Sequence, residues 1–490
     1  MQNGLLLGFI ILYLLGTLAI GWWASRRVKT TADFVVAGKQ LPMFIVACAL
    51  FATWFGSETV MGASSEFMEH GLLGVIEDPF GAALCLFLAG LLIARPLYNL
   101  NLFTFSDFFR MRYNKATELV SAVFMVPSYF SWIAAQLVAL AIILQAVCGL
   151  DRTWGVLICT GLVLVYTYIG GMWSVTITDF VQTIVIIVGL LALAAEMVLK
   201  VGGFGKMAEA APPDFFRFFP EPSPINYIQW VAAWMTIGLG SIPQQDVFQR
   251  VMAARSVRGS VNACYTSALM YLSVAMLPLL IAYCGRMLYP ELLETGDAQM
   301  TIPRLVLQHT GPGMQILFFG ALLSAILSTC SGAMLAPATV IGENLVKPLF
   351  SHVTDAQLLR IMRYSVVGVA IVTGGMALSR DNIYELVGES SAFSLVSLFT
   401  PLLAGLYWKR SSAYGAIASM VAGIVVWCMA MWWTGIVEPA PEGAALTTAQ
   451  TMAQIPPMMY GFAASIIAML TGSWIYPERR VEPLITANDG

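Results

Sequence analysis

Charged residues are scarce in this chain of 490 residues, where they make up 11% of the sequence, against about 25% in a typical soluble domain. The formal net charge is −3 with 25 Lys and Arg, which argues against an electrostatic surface for nucleic acid. Hydrophobic residues make up 58%, and almost the whole chain consists of apolar runs of bilayer-crossing length. We therefore expect an all-α integral membrane protein, surrounded by a lipid bilayer and without an appended soluble domain.

Metal-ligating and nucleotide-binding motifs are also missing. The eight cysteines stand singly without a CxxC pair, and there are three histidines, which argues against a disulfide framework or a zinc site. No GxxxxGK[ST] loop is present to hold ATP, and no HExxH motif or nucleophile–base pair supports an enzyme. A transporter is predicted, with a transporter-like sensor that lacks solute flux as an alternative from a different class.

The apolar runs predict about 13 transmembrane helices. Their approximate ranges are 5–23, 42–65, 73–94, 119–147, 154–169, 176–199, 228–249, 260–284, 312–340, 363–379, 391–408, 414–434 and 455–475. Arg26 and Arg27 follow the first run, which is the reverse of a secretory signal. With the N-terminus outside and the C-terminus in the cytoplasm, 18 of the 25 Lys and Arg lie inside, as the positive-inside rule requires in a plasma membrane.

Two of the predicted helices contain residues that interrupt a helix in mid-membrane. One break lies at 52–59 and includes Gly56; the other lies at 238–246 and includes Pro243. Glycine and proline both release backbone groups from helical hydrogen bonds, and in hydrocarbon those groups must line a cavity or bind something. The alternative is that Gly and Pro are simply common in membrane helices.

The two breaks lie five helices apart, which predicts an internal repeat. An odd number of helices per repeat inverts its topology, and paired interrupted helices mark the solute and ion site of many transporters. The predicted units are an N-terminal helix and inner loop at 1–41, a first repeat at 42–200, a second repeat at 225–410, and two C-terminal helices with a short tail at 411–490.

A set of oxygen atoms in the predicted helix 312–340 suggests a cation site. Ala325, Ser328 and Thr329 share one helical face because their spacing is i, i+3 and i+4. Carbonyls of Ala52 and Phe55 at the first break supply two more oxygens. Five oxygens without a full counter-charge favour a singly charged cation over calcium or magnesium. The alternative is that both hydroxyls hydrogen-bond within or between helices.

Two segments of the chain resemble a known family. Residues 166–182 read YTYIGGMWSVTITDFVQ, and residues 243–250 read PQQDVFQR. Both resemble the sodium:solute symporter family, which includes the bacterial proline, sialic-acid and galactose symporters and the animal high-affinity choline transporter. The resemblance extends over nearly the whole chain with matching helix spacing.

The resemblance implies a five-plus-five inverted-repeat fold like that of the bacterial leucine transporter, and sodium-driven uptake by alternating access. It places the family's shared sodium site on five residues: main-chain oxygens of Ala52, Phe55 and Ala325, and hydroxyls of Ser328 and Thr329. Asp179 matches the family aspartate on the sodium path towards the cytoplasm. Sodium is the one metal expected.

The solute is left open by the residues at the two breaks. Residues 52–56 read ATWFG and resemble the choline transporter's ATWVG, and Trp132 matches another tryptophan of its pocket; aromatic faces suit a quaternary ammonium. Two departures weaken that interpretation. Gln244 stands where the choline transporter has tryptophan, and Ser57 and Glu58 stand where it has glycines.

The prediction for the solute is therefore an amine, an amino acid or another zwitterion, with a choline-type quaternary ammonium, a sugar or a carboxylate as alternatives. Acids inside a membrane are costly and usually functional, which adds carboxyl groups to the pocket candidates. These candidates are Trp54, Ser57, Glu58, Thr59, Asp78, Trp132, Gln244 and Gln245.

Overall fold

The computed structural model describes residues 2–100, 102–291, 298–350, 352–438 and 447–477. These ranges are helical, apart from connecting segments and one isolated parallel bridge between Leu41 and Ala254. The longer α-helices are Gln2–Ser25, Met43–Trp54, Ala63–His70, Ala82–Leu88, Phe105–Arg112, Lys115–Ser128, Phe130–Cys148, Arg152–Val201, Pro224–Gly240, Gln245–Ala253, Val257–Val274, Met276–Leu288, Thr301–His309, Pro312–Val340, Asp355–Ser379, Ile383–Ser394, Thr400–Tyr407, Ala413–Ile436 and Pro457–Ile475.

Short helical segments extend or join these elements. The short α-helices are Thr31–Val36, Arg95–Tyr98, Phe204–Glu209 and Thr448–Ala453. The π-helical turns are Glu58–Gly62, Ile76–Gly81, Ala89–Ala94, Ile341–Val346 and Leu395–Phe399. The 3₁₀ turns are Ala37–Lys39, Gly71–Val75, Ala298–Met300 and Lys347–Leu349.

Each of the 13 predicted apolar runs overlaps a helix, or helices joined by a short irregular turn. Ten helices of the described chain are long and apolar enough to cross a membrane, and the number of crossings stays a prediction. The runs predicted at 154–169 and 176–199 form one long helix, Arg152–Val201, which is interrupted at Gly171 with φ 56° and ψ −165°. A Cβ there would lie 2.4 Å from the Phe34 ring, so the close approach requires glycine.

Both predicted breaks are confirmed. The first broken helix consists of Met43–Trp54 and the later segment Ala63–His70; Phe55, with φ −86° and ψ 79°, ends its first half. The second broken helix consists of Pro224–Gly240 and Gln245–Ala253, separated by residues 241–244. At each break the chain stays in the interior, where backbone groups without helical partners are free to bind solutes.

One buried helix packs against both broken helices. This helix, Pro312–Val340, which we call the hydroxyl helix, is buried at every position from Phe318 to Val340. Proline in its first turn fits the helix start, where the missing N–H has no partner to lose. Such complete burial indicates the centre of a bundle rather than a lipid-facing position.

The C-terminal helices Ala413–Ile436 and Pro457–Ile475 pack closely against each other. Ser419 and Ser465 lie 2.8 Å apart through their hydroxyl oxygens, and small residues let membrane helices approach in this way. Their outer faces carry large exposed side chains such as Trp432 and Trp474. In a soluble protein such exposure would be costly, whereas in a bilayer it faces lipid.

Candidate ion and solute site

A cavity, which we call the central cavity, lies between the two breaks and has about 290 Å³ of space between atoms, mouth included. Its lining residues are Trp54, Glu58, Asp78, Ala82, Trp132, Ile237, Ser241, Gln244, Tyr271, Val387 and Ser391. Two of them are acids, and no lysine or arginine of the described chain is among them. The lining thus combines negative charge, aromatic faces and a few neutral hydrogen-bonding groups, as expected of a site for a small polar ligand.

Trp54 joins the first break to the second. Its indole N–H donates to an Asp246 carboxylate oxygen at 3.0 Å. The Tyr129 hydroxyl donates to the other oxygen of Asp246 at 2.5 Å and accepts from the Asp246 backbone N–H at 3.0 Å. These contacts connect three helices and fix one indole at the cavity wall.

Glu58 is held by neutral donors. The Trp132 indole N–H donates to one carboxylate oxygen at 3.1 Å, and the Gln136 amide donates to the other at 2.7 Å. The Gln136 amide oxygen accepts from the Ser57 backbone N–H at 3.0 Å, which uses a donor that the break releases. No arginine or lysine of the described residues pairs with Glu58. A cationic ligand would therefore find an acid with fixed geometry and no competing partner.

Asp78 is the second acid of the cavity and is fully buried. The Thr59 hydroxyl lies 2.7 Å from one carboxylate oxygen, and the Tyr271 hydroxyl lies 2.8 Å from the other. Tyr271 also lies 2.9 Å from the carbonyl oxygen of Trp54, so it connects the acid to the first break. The arrangement places Asp78 and Trp54 around the same small volume.

The predicted sodium ligands on the hydroxyl helix face the first break. The Thr329 hydroxyl lies 3.3 Å from the carbonyl oxygen of Ala52, and both residues are fully buried. Phe55 departs from helical geometry, so its carbonyl oxygen is released from the helical hydrogen bond to the N–H four residues later. A Cβ on Gly56 would lie 2.9 Å from the Thr329 hydroxyl oxygen, so the chain passes directly against this hydroxyl.

Ser328, the other hydroxyl, contacts the predicted path residue. It donates to Asp179 at 2.5 Å, and the second Asp179 oxygen lies 3.7 Å from the guanidinium of Arg250. Arg250 also donates to the carbonyl oxygens of Ala49 and Asp246, at 3.2 and 3.1 Å. One buried ion pair thus joins both broken helices to the helix that carries Asp179.

Most predicted pocket residues come together, but not all line the cavity. Trp54, Glu58, Asp78, Trp132 and Gln244 line it. Ser57 and Thr59 lie directly behind this wall and contact Gln136 and Asp78. Gln245 points away, because its amide group bonds the backbone of Phe103 and Phe105, at 2.8 and 2.9 Å. That contact assigns it to packing against the segment before helix Phe105–Arg112.

Several site residues could not be predicted from the sequence. Tyr271 lies in a helix whose sequence carries no break or acid, and Ser391 lies in a helix without a predicted break, so no local signal marks either residue. Ser241 lies inside the predicted second break and hydrogen-bonds Ser391 at 2.9 Å. Asp246 follows the two glutamines of the same break, but no sequence pattern marks it as the hydrogen-bond partner of Trp54.

Comparison with known proteins places this site in context. The chain is 27% identical to the high affinity choline transporter 1 of Homo sapiens over 446 residues, covering 86% of this chain and 75% of that protein. It is 28% identical to the high-affinity proline transporter PutP of Bacillus subtilis, covering 87% and 93%. A substrate-bound outward-open Na⁺-coupled sialic acid symporter has a TM-score of 0.79 at 19% identity, covering 98% and 99% of the two chains.

A more distant structure has the same fold. MhsT in complex with L-phenylalanine has a TM-score of 0.54 at 14% identity, covering 88% of this chain and 98% of that one. At such identities these likenesses establish the fold, which confirms the all-α membrane architecture expected from the sequence. The model of the sodium:solute symporter family matches residues 34–423, and the chain belongs to that family.

Proposed function

We propose that the protein imports a small organic amine, amino acid or other zwitterion together with sodium, by alternating access across the cytoplasmic membrane. Family membership makes it a sodium-using membrane transporter rather than an enzyme. The proposal adds the solute class, the direction, and an orientation with the N-terminus outside and the C-terminus in the cytoplasm. The observation that carries the solute class is a cavity with two acids, two tryptophans and no basic lining residue in the described chain.

The sodium ligands that we propose are the five oxygens expected from the sequence. The contact between Thr329 and the carbonyl of Ala52 supports this assignment, because it brings the hydroxyl helix against the first break. Ala325 lies one turn before Thr329 on the same face. Neutral oxygens in a fully buried place suit a monovalent cation, whose charge they balance only in part.

Asp179 is the proposed intermediate position on the sodium path from this site to the cytoplasm. It accepts from Ser328 and pairs with Arg250. A sodium ion that leaves the hydroxyl pair meets a carboxylate whose charge is already shared with a guanidinium. Such a carboxylate attracts the ion without trapping it, because the nearby positive charge weakens the local field.

Sodium would bind before the solute and hold the first broken helix against the hydroxyl helix. The solute would then bind between the breaks, and the proposed repeats at 42–200 and 225–410 would rock to open the site inward. One charge moving through 100 mV gains about 2.3 kcal/mol. That is equivalent to concentrating the solute about fiftyfold, since each 1.4 kcal/mol is about a factor of ten, and the sodium gradient adds to it.

The two ends of the solute would meet different chemistry. The ammonium end would lie between Glu58 and the Trp54 and Trp132 faces, which attract cations. The other end would lie near Gln244 and Ser241, whose neutral groups can bind a carboxylate or a hydroxyl. This arrangement favours a zwitterion or an amino alcohol over a free carboxylate, because two acids line the same volume.

A choline-type quaternary ammonium is the second candidate. The two tryptophans of the cavity support it, and choline transporters are among the relatives. Glu58 and Asp78 distinguish the candidates, since a primary amine donates hydrogen bonds to carboxylates and a quaternary ammonium cannot. A free carboxylate would be repelled by the two acids, and a sugar, whose hydroxyls can donate to them, has no positive charge to balance theirs.

The experiment is uptake into proteoliposomes with and without a sodium gradient, followed by a binding screen of amines, amino acids, choline, sugars and carboxylates. Uptake should require sodium. If the ammonium end of the solute contributes most of the affinity, Trp54→Ala should weaken solute binding more than Gln244→Ala does. Equal accumulation with potassium on both sides and no proton gradient would contradict sodium coupling. Solute binding without uptake would favour the alternative of a transporter-like sensor that lacks solute flux.

A further inference from the structure

A second cavity, which we call the lateral cavity, lies between the second broken helix, the helix Ile383–Ser394 and the C-terminal helix pair. It has about 840 Å³ of space between atoms, mouth included. Its lining residues are Glu77, Gln229, Ala232, Ala233, Thr236, Tyr384, Glu385, Gly388, Glu389, Ala392, Trp427, Met431, Pro456, Pro457 and Met458. The C-terminal pair, which lies outside the proposed repeats, thus supplies one whole wall.

The central and lateral cavities share a thin partition. Neighbouring residues of the same elements line one cavity and then the other. These pairs are Asp78 and Glu77, Ile237 and Thr236, Val387 and Gly388, and Ser391 and Ala392. A small shift of these elements during rocking would therefore change both cavities together.

Three carboxylates line the lateral cavity, two more than the nearby Arg380 can neutralise. Arg380 pairs with Glu389 at 2.5 Å and lies 3.8 Å from Glu385. Glu77 has no basic partner among the described residues, and its carboxylate lies against Gly388, whose Cβ would come within 3.4 Å of it. The cavity therefore offers net negative charge to a cationic ligand.

Aromatic groups line the same space. Trp427 and Tyr384 both face the cavity, and the Trp427 ring packs edge-on against Phe393 at 5.8 Å between centroids. Tyr384 is also held by a hydrogen bond to the carbonyl of Gly74 at 3.3 Å. An indole with a fixed orientation and a carboxylate without a basic partner thus line the same space, which is the combination that binds organic cations.

We propose that the lateral cavity is a second binding site for a choline-sized organic cation, separate from the central cavity and formed jointly by the repeats and the C-terminal helix pair. Trp427 supplies the aromatic face and Glu77 the counter-charge. The solute class rests on the second candidate of the proposed function, a choline-type quaternary ammonium. The site itself rests on the geometry of the lateral cavity alone.

The test is protection of an introduced thiol in the full-length protein. Met431 lines the lateral cavity one helical turn beyond Trp427 and is 40% exposed, so Met431→Cys reports on occupancy. The alkylation rate is measured with and without choline. The rate of the unsubstituted protein is subtracted, because its Cys428 is also exposed. Glu438→Cys, an exposed position beyond the same helix, is the matched control.

Choline should slow alkylation of Met431→Cys at least fivefold and leave Glu438→Cys unchanged. Adding Trp427→Leu or Glu77→Gln should remove the protection, whereas adding Glu58→Gln in the central cavity should retain it. Protection that survives both lateral-cavity changes, or that disappears with Glu58→Gln, would overturn the proposal, as would no protection at all. If protection is found but sodium-driven uptake is not, the proposed function fails while the lateral site stands.

Discussion

The hydroxyl of Ser328 donates a hydrogen bond of 2.5 Å to Asp179, which is 149 positions earlier in the chain. A hydroxyl has one proton and two lone pairs, so donating to a carboxylate turns the lone pairs towards the other side. The hydroxyl of the neighbouring Thr329 faces the first break, 3.3 Å from the carbonyl oxygen of Ala52. The aspartate therefore orients the hydroxyl of a proposed sodium ligand.

Removing either hydroxyl should weaken sodium binding. Thr329→Ala and Ser328→Ala should each raise the sodium concentration for half-maximal uptake about tenfold or more, because losing one buried oxygen contact costs about 1–3 kcal/mol. The measurement is sodium-dependent uptake in proteoliposomes. Thr329→Ser keeps the hydroxyl oxygen, so its half-maximal sodium concentration should be close to that of the parent protein. Ser273→Ala removes an exposed hydroxyl bonded to its own helix and is the control; unchanged sodium dependence in both test variants would remove the assignment.

Breaking the ion pair between Asp179 and Arg250 should destabilise the protein. Asp179→Asn leaves a buried guanidinium without a counter-charge, which typically costs about 3–5 kcal/mol. Thermal unfolding in detergent should show a clear loss of stability for this variant, and adding Arg250→Gln should restore part of that stability. The surface pair of Arg152 and Asp381, 3.4 Å apart, provides the control, since Asp381→Asn should cost about 1 kcal/mol or less.

The double variant also separates stability from transport. Sodium-dependent uptake should stay impaired in Asp179→Asn with Arg250→Gln, because the carboxylate that orients Ser328 is still missing. Equal thermal stability of the single and double variants would show that the two side chains do not compensate each other. Full recovery of uptake would show that Asp179 has no role beyond its pairing with Arg250.

A side chain at Gly56 should disable the proposed sodium and solute sites together. A Cβ there would lie 2.4 Å from Glu58, 2.9 Å from Gln136 and 2.9 Å from Thr329, measured to side-chain oxygens. Gly56→Ala should therefore abolish both solute binding and sodium-dependent uptake. Gly161→Ala is the matched control, because nothing lies within 4 Å of its Cβ. Binding of either ligand at parental affinity in Gly56→Ala would contradict the geometry.

The membrane architecture could be predicted from the sequence because its signals are local. Every apolar run became helix, and the breaks at 52–59 and 238–246 appeared where glycine and proline interrupt them. Trp54 and Glu58 were identifiable for the same reason, since the polar groups at a break within hydrocarbon must line a cavity or bind a ligand. The family assignment and the expectation of a transporter rather than an enzyme were also confirmed.

The remaining site residues depend on contacts that no local pattern encodes. Tyr271 reaches Asp78 from a helix 193 positions away, and a tyrosine in an apolar run looks like ordinary packing. Gln245 shows the opposite case: its type and position suggested the pocket, yet its amide holds the backbone near Phe105. Neighbouring residues at a break can face different sides, and only the three-dimensional path of the chain decides which.

The N-terminal helix should tune the sodium site although it lies outside both proposed repeats. The Tyr13 hydroxyl donates to Ser324 at 2.5 Å, since Ser324 itself donates to the carbonyl of Gly320, and Ser324 lies one turn before Ser328. Tyr13→Phe should raise the half-maximal sodium concentration about fivefold, because one buried hydrogen bond is worth about 1 kcal/mol. Solute affinity at saturating sodium should stay unchanged, which a general folding defect would not allow. Tyr364→Phe, with an exposed ring, is the control, and an unaltered sodium curve in Tyr13→Phe would show that the first helix only packs against the bundle.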